Sequence, residues 1–465
     1  TMFWREPALL GETPAVTEKM LRAADGWMSL FCGQAPWLTD GNTQSMNLPA
    51  AIAGELARLT TVELAGPVSG SARADYLNAQ LAPVLAAMRT QCEYAAAGGG
   101  LILKPYVNGT QIGVDFVQAH SFIPTAWNAC GDITGAVFIE QAKKAHGTYT
   151  RLERHSMTSD GYLVENSAYF SPTDHALGVK TSLTAVPEWA MLSPKLTLRR
   201  ADGSHLTKPL FAYFKIPFAN QEDTSSPLGV SVYSRATGLM EQADRQYTRI
   251  LWEYEGSELA VDASIGALQT ESGDLRLPHG KERLFRELAI DKGDGGDLYS
   301  VFSPAIRDGS LFNGLNQLLK RVEFSCYLSY GTLSDPQSVE KTAEEIKMSR
   351  QRSFSAVCDM QKSLAAALQA LVDAMDVYAS LYALAPIGAY ETHLQFGDAI
   401  AVDTERERDA MREDCRDGAA AWWEYRVKFY GESEDVARSH VAEAAAGREA
   451  SAKKTADTQS VNPQT

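Results

Sequence analysis

The eight histidines are the side chains that would most readily support a metal site or acid–base catalysis. None forms an H-E-x-x-H motif or another close pair, so a metal site would have to combine side chains from distant segments. His155 and Ser156 are neighbours on a predicted strand and point to opposite faces, which is the wrong geometry for a nucleophile and its base. We therefore predict no metal site and no catalytic residue among them.

Cysteines, glycines and clustered acids offer no better-defined site. The six cysteines are widely spaced and contain no C-x-x-C pair, which indicates buried or half-buried free thiols in a reducing compartment. The glycine run at 98–100 precedes a predicted strand, whereas a phosphate-binding loop must precede a helix. Asp291, Asp294 and Asp297 lack the ligand order of an EF-hand and are interpreted as a solvated turn. We expect no cofactor and no enzymatic activity.

The elements that must position these residues change character at the glycine run. Before it, apolar spacings of three and four residues predict helices over residues 15–31, 48–59 and 71–97. After it, short β-rich runs alternate with Asn-Gly, Gly-Asp and Asp-Gly turns, which predicts an antiparallel meander. These runs are LILKPYV, QIGVDFV, FIPTAW, ITGAVFIEQA, GTYTRLERHSM and GYLVENSAYF.

One strand of the meander, GTYTRLERHSM, carries polar side chains on both of its faces. A strand of this kind must lie at an edge of the sheet or against another polar surface. The first face carries Tyr149, Arg151, Glu153 and His155, and the second carries Thr150, Leu152 and Arg154.

Two helical patterns bracket a small insertion in the second half of the chain. Ser231 is a candidate N-cap for a helix of about 38 Å, and residues 311–322 mark a second helix of about 32 Å. Residues 259–307 between them form a compact insertion with strand-like and turn-rich segments.

A much longer helix follows the bracketed insertion. Gly331 and Pro336 interrupt the helical pattern, and Thr342 with Glu345 then forms a capping box. The apolar stripe behind this box predicts a helix of about 42 residues, or about 63 Å. A strand, THLQF, and two shorter helices over residues 403–417 and 434–446 complete the pattern.

Composition limits the classes of protein that remain. The chain has 465 residues, of which 45% are apolar and 22% charged, as in ordinary globular proteins. The 43 Lys and Arg residues face 58 Asp and Glu residues, and the resulting net charge of −15 disfavours a groove-reading DNA binder. No stretch approaches the roughly 18 uninterrupted apolar residues of a membrane span, and residues 1–14 lack the pattern of a signal peptide, so we expect a soluble, unexported protein.

The order of these segments resembles the portal proteins of tailed double-stranded DNA phages, of the SPP1-like kind. The resemblance rests on the meander with YTRLERH, the lead SPLGVSVYSRA into a helix, the bracketed module, KTAEEIKMSRQRSF at the start of the long helix, and GESEDVARSHVAEA after an aromatic helix. It extends over nearly the whole chain. The family implies an α+β fold and a ring, usually dodecameric, with a central channel for DNA.

The resemblance also implies a division of the chain into the parts of a portal protein. These parts are a wing (1–228), a first stem helix (229–256), a clip (257–308), a second stem helix (309–331), a tunnel loop (332–340), a long wing helix (341–385), a helical crown (386–449) and a disordered tail (450–465).

Two groups of residues become site candidates through this resemblance. The tunnel loop would project Thr332, Leu333, Ser334, Asp335 and Gln337 into the channel, while Lys320 and Arg321 of the second stem helix would form positive belts. The alternative for this last pair is a solvated helix end near its C-terminus.

The family further implies partners and a location. The partners are copies of the same chain, duplex DNA without sequence specificity, the terminase large subunit, a head–tail adaptor, and the major capsid and scaffolding proteins, with no membrane. The location is the capsid vertex of a virion assembled in the host cytoplasm. The alternatives are another non-enzymatic capsid or tail-connector protein and, more remotely, a phage-encoded nuclease or transferase.

Overall fold

The computed structural model describes residues 16–39, 41–173, 176–200, 202–257, 260–264, 285–288, 299–302, 305–335, 343–397 and 404–443. The chain divides into two compact units, Thr1–Ala399 and Ile400–Thr465. Helices and strands are both abundant, so the expected mixed class of helix and sheet is correct.

Three helices open the described chain, as the apolar spacing predicts. The hydroxyl of Thr17 accepts a hydrogen bond from the Met20 N–H at the start of α1, and Ser71 does the same for Ala74 at the start of α3. One face of each helix is buried in a common core. The helices are α1 (Glu18–Phe31), α2 (Leu48–Thr60) and α3 (Ala72–Gly98).

The six β-rich runs all form strands, but they belong to two sheets and not to one meander. A 3-10 turn at Ala119–Ser121 separates the third strand from the fourth. The first sheet has the order β10-β2-β3, and the second has the order β4-β5-β6-β7-β8 with β9 also paired to β7. The strands are β1 (Val68–Ser69), β2 (Gly100–Asn108), β3 (Gln111–Gln118), β4 (Phe122–Trp127), β5 (Ile133–Lys144), β6 (Gly147–Thr158), β7 (Gly161–Ser171), β8 (Val179–Thr181), β9 (Lys195–Leu198) and β10 (Ala212–Lys215).

The polar strand β6 lies in the middle of its sheet, against a polar group of the other sheet. The Glu153 carboxylate contacts Lys104 Nζ of β2 at 2.6 Å and Arg151 Nη2 at 3.0 Å. His155 bridges Glu153 and the Tyr162 hydroxyl, with 2.8 Å to each. Of the two positions expected for β6, contact with a polar surface is therefore correct, because these charges satisfy one another where the two sheets meet.

The long helix α6 (Ala343–Leu381) confirms the long apolar stripe. Met360, Leu364, Leu368 and Leu371 are fully buried, and the helix packs against α2, β2 and β10. Among the described residues, Gln351–Leu381 is the one helical segment long and apolar enough to cross a membrane. Half of that window is buried inside the protein, and the core helix of a soluble protein passes the same test. The expected capping residue Thr342 lies outside the described residues.

Two antiparallel helices, α4 (Thr237–Gly256) and α5 (Asp308–Ser325), bracket a small sheet. In that sheet β11 (Ala260–Ser264) pairs in parallel with β12 (Phe285–Leu288) and antiparallel with β13 (Tyr299–Phe302). The bracketed α/β module predicted from the sequence is therefore present.

The predicted N-cap of α4 is wrong. Ser231 is fully buried, and its hydroxyl donates to the Ala96 carbonyl at 3.4 Å, six residues before the helix begins. It fastens the lead into α4 to the end of α3, where the backbone N–H of Val232 also bonds the Ala96 carbonyl.

A backbone crossing between Gly99 and Gly229 joins the glycine run to the lead into α4. Gly99 ends α3 with a φ of +92°, and a Cβ there would lie 2.5 Å from the Gly229 carbonyl oxygen. A Cβ on Gly229 would overlap the Gly99 carbonyl oxygen and approach that of Ile216. Because no side chain fits at this crossing, the glycine run serves close backbone packing, and it enters strand β2 as expected.

The end of the chain contributes a small strand and a separate helical unit. Strand β14 (Glu391–Thr392) pairs with β1, so residues 386–397, which we expected in the crown, belong to the first unit. The second unit contains α7 (Thr404–Asp417), α8 (Trp422–Tyr430) and α9 (434–443), close to the predicted bounds. The expected disordered tail lies outside the described residues.

Gly229→Ala is predicted to destabilise the protein by more than about 3 kcal/mol, because the new methyl group meets backbone that cannot move aside. The matched control is Gly238→Ala in the exposed first turn of α4, where a Cβ has no neighbour within 4 Å. That change should be neutral or stabilising by up to about 1 kcal/mol. Chemical denaturation measures both, and a Gly229→Ala protein of normal stability would disprove the crossing.

Stability is predicted to fall on acidification from about pH 7 to about pH 5 because of His155. Burial lowers the pKa of His155, so the unfolded chain takes up a proton near its ordinary value of about 6.5 before the folded one does. His155→Gln should flatten this dependence while lowering stability at neutral pH. His146→Gln, at an exposed turn, should leave the slope intact. Equal slopes for both variants in denaturation curves would refute the assignment.

Candidate functional site

The candidate site is the pair α4 and α5, called the hairpin here, together with residues 326–335, called the return segment. These elements correspond to the stem and tunnel loop that the resemblance implies. Their attachment to the rest of the first unit determines which side chains are available to a ligand or a neighbouring chain.

A buried carboxylate attaches α4 to the N-terminal part of the chain. Asp244 is only 3% exposed, and its two oxygens accept hydrogen bonds from the Trp37 indole N–H at 2.9 Å and the Met46 backbone N–H at 2.8 Å. One turn later, the Thr248 hydroxyl accepts from the Gln44 N–H at 2.8 Å. The segment before α2 is therefore fixed to one side of the hairpin.

The two hairpin helices also contact each other near the inserted module. Arg307 donates through two nitrogens to the Glu253 carboxylate, at 3.0 and 2.7 Å, and this bidentate pair lowers the pKa of Glu253. The Tyr254 and Phe312 rings lie 6.5 Å apart by their centroids. These contacts set the spacing of the two helices at the end that carries the module.

A second buried carboxylate determines the shape of the return segment. Glu323 in the last turn of α5 is fully buried, and its Oε1 accepts from the N–H groups of Gly331, Leu333 and Ser334 at 3.1, 2.6 and 2.9 Å. The Ser334 hydroxyl donates to Oε2 at 2.8 Å. The return segment is thus folded back onto α5.

The return segment is tied to α5 and α6 as well. The Asn316 side chain accepts from the Asp335 N–H at 2.8 Å, and the Ser353 hydroxyl of α6 donates to the Tyr327 carbonyl at 2.8 Å. Residues on three successive elements therefore hold this segment in one conformation.

These contacts change the picture of the expected tunnel-loop residues. Ser334 is buried and Leu333 is half-buried against the core, so neither projects freely as predicted. Thr332 and Asp335 are exposed. Gln337 lies outside the described residues. The prediction failed because the segment was treated as an open loop, whereas Glu323 organises its backbone.

The two candidate belt residues lie on different sides of α5. Arg321 is exposed and lies opposite the face that carries the buried Leu315, Leu319 and Val322. Lys320 is half-buried at the flank of that face, because consecutive residues on a helix are about 100° apart. The structure therefore does not bring the two cations to one surface.

Sequence reasoning missed the exposed face of α4. Arg245, Arg249 and Trp252 share one stripe through their spacing of four and three residues, and Trp252 is 67% exposed. Arg245 pairs with Glu241 at 2.6 Å. The same helical spacing that identifies buried stripes would have found this one, had it been applied to charged residues.

Large apolar side chains are exposed along the hairpin. In addition to Trp252, Phe324 is 54% exposed, Phe312 46% and Tyr254 41%. The guanidinium of Arg352 lies 4.0 Å from the centre of the Phe324 ring. Several aromatic side chains on one two-helix element form a surface that one copy of the chain leaves uncovered.

The chemistry set aside in the sequence remains unassembled in the described part of the chain. No group of three or more His, Cys, Asp or Glu side chains there could hold a metal ion. Cys32 and Cys130 are exposed, contrary to the expectation that every thiol is at least half-buried. Burial raises the pKa of Cys92 to about 12, so that this thiol stays protonated.

Comparison with known proteins finds one weak structural likeness to report. The chain is similar to a chain of the structure described as the neck of a native GTA particle computed with C12 symmetry. The identity is 12%, the match covers 89% of this chain and 94% of that one, and the TM-score is 0.43. No protein-family model and no curated protein matches this chain.

Proposed function

We propose that this chain is the protomer of a portal ring, through whose channel double-stranded DNA is packaged and ejected at one capsid vertex. The observation that carries the proposal is the hairpin around a small sheet, followed by the return segment and the long helix α6 in the chain order of the portal family. Its role is structural and not enzymatic.

The dimensions of the hairpin suit a wall built from repeated copies. Helix α4 is about 30 Å long and α5 about 27 Å, at about 1.5 Å per residue. Two antiparallel helices of this length bury only the faces that they turn towards each other and the body. Their exposed aromatic side chains support a lateral contact with the next copy in a ring.

The charge distribution supports passage of DNA without strong binding. A channel in which DNA slides must avoid firm adhesion to phosphates, and a net charge of −15 per chain opposes such adhesion. Exposed Arg249 and Arg321, with Lys320 at the flank, would provide local positive charge on the hairpin. Repeated around a ring, they would soften the negative field along the channel.

The remaining partners follow from the proposed position in a particle. The ring, dodecameric as is usual in the portal family, would dock the terminase large subunit during packaging and a head–tail adaptor afterwards, and would contact the major capsid and scaffolding proteins. It would be assembled in the host cytoplasm and remain in the virion. A different non-enzymatic connector protein is the alternative role, and subunit arrangement with DNA in the channel separates the two.

Leu318→Asp is predicted to abolish rings while leaving the protomer folded, because Leu318 is half-buried at the flank of α5. Leu319→Asp should destabilise the protomer itself by several kcal/mol, since Leu319 is buried inside it. Gln317→Asp adds the same charge at an exposed position and should change neither property. Native mass spectrometry and thermal unfolding separate these outcomes. Normal rings from Leu318→Asp would contradict the proposed lateral contact.

The double variant Lys320→Gln/Arg321→Gln is predicted to form rings that package or retain less DNA, with the largest deficit at low ionic strength. The reason is the loss of two positive charges per protomer without loss of side-chain length. Lys180→Gln/Lys195→Gln removes the same charge from the exposed strands β8 and β9 and serves as the control. Packaging assays over a range of salt concentrations test this, and equal yields for both double variants would exclude the belt.

A further inference from the structure

The Glu323 carboxylate occupies what is otherwise an anion-binding arrangement. The N–H groups of Gly331, Leu333 and Ser334 converge on one of its oxygens, and the Ser334 hydroxyl reaches the other. Gly331 has a φ of +90°, which turns the backbone so that these N–H groups face one point. Concave sets of backbone N–H groups in such turns bind phosphate and other anions.

The location of Glu323 is costly in the absence of this arrangement. It lies in the last turn of α5, where the negative end of the helix dipole opposes a carboxylate. It is also fully buried, which removes the solvation of its charge. The four uncharged donors offset both costs. Conversely, the donors would be left unsatisfied without an anionic or strongly accepting occupant.

We propose that Glu323 is an internal plug in a phosphate-binding nest formed by residues 331–334. The plug prevents the return segment from holding phosphate groups of DNA, and this part of the inference rests on the proposed function. With the nest filled, Thr332 presents a hydroxyl and Asp335 a carboxylate to solvent, and the latter repels phosphate. The segment can then lie beside moving DNA without gripping it.

Removing the plug tests the nest with inorganic phosphate alone. Glu323→Ala should bind phosphate at least tenfold more tightly than the unaltered protein, measured by isothermal titration calorimetry on the full chain. Glu255→Ala removes an equal charge from the exposed end of α4 and should bind no more phosphate than the unaltered protein. A structure of Glu323→Ala with phosphate should place the anion on the N–H groups of Gly331, Leu333 and Ser334.

A second variant keeps the test decisive if Glu323→Ala does not fold. Glu323→Gln retains the size of the side chain but offers a neutral and weaker acceptor, so its phosphate affinity should rise by a smaller factor, about threefold. If the folded variants bind phosphate no better than Glu255→Ala, the nest is disproved.

Duplex DNA provides the separate arm that concerns the channel. Rings of Glu323→Ala should retain a short duplex about tenfold longer than rings of Glu255→Ala at low salt, and the difference should shrink as salt rises. Tighter phosphate binding with unchanged DNA retention would support the nest and contradict the proposed position of the segment beside DNA.

Discussion

The requirement that a buried carboxylate be fully hydrogen-bonded determines how the hairpin joins the body of this protein. Each hairpin helix carries one such group, Asp244 on α4 and Glu323 on α5. Each carboxylate accepts backbone N–H groups from a segment outside the hairpin, at Met46 in the first case and at residues 331–334 in the second. Because losing these bonds would strand a buried charge, both segments are held in fixed positions.

The same constraint separates what is rigid from what is available for contact. The lead into α4 crosses α3 at Gly99 and Gly229, and the wing sheets are joined through Lys104 and Glu153. Against this fixed body, the hairpin exposes Trp252, and its opposite ends carry Phe312 and Phe324. A protein that uses its interior charges to hold two helices in place, yet leaves their outer aromatic side chains uncovered, has the organisation expected of a repeated subunit.

Local patterns predicted much of the fold. The first three helices, the six wing strands and α6 agree with the sequence because spacing and turn residues determine them locally. The division of the strands into two sheets did not follow, since pairing partners such as β2 and β10 lie far apart along the chain. Ser231 was misassigned for the same reason: its partner, the carbonyl of Ala96, is 135 residues away. The return segment depends on Glu323, whose spacing to the turn resembles that of any solvated acid.

The most direct test of the central claim is cryo-electron microscopy of the purified full-length protein with duplex DNA, supported by native mass. The account predicts closed rings of about a dozen copies, in which the aromatic side chains of the hairpin are covered by the neighbouring copy and DNA lies along the central axis. Monomers or open assemblies with the hairpin still exposed, at concentrations where portal rings would assemble, would contradict the account.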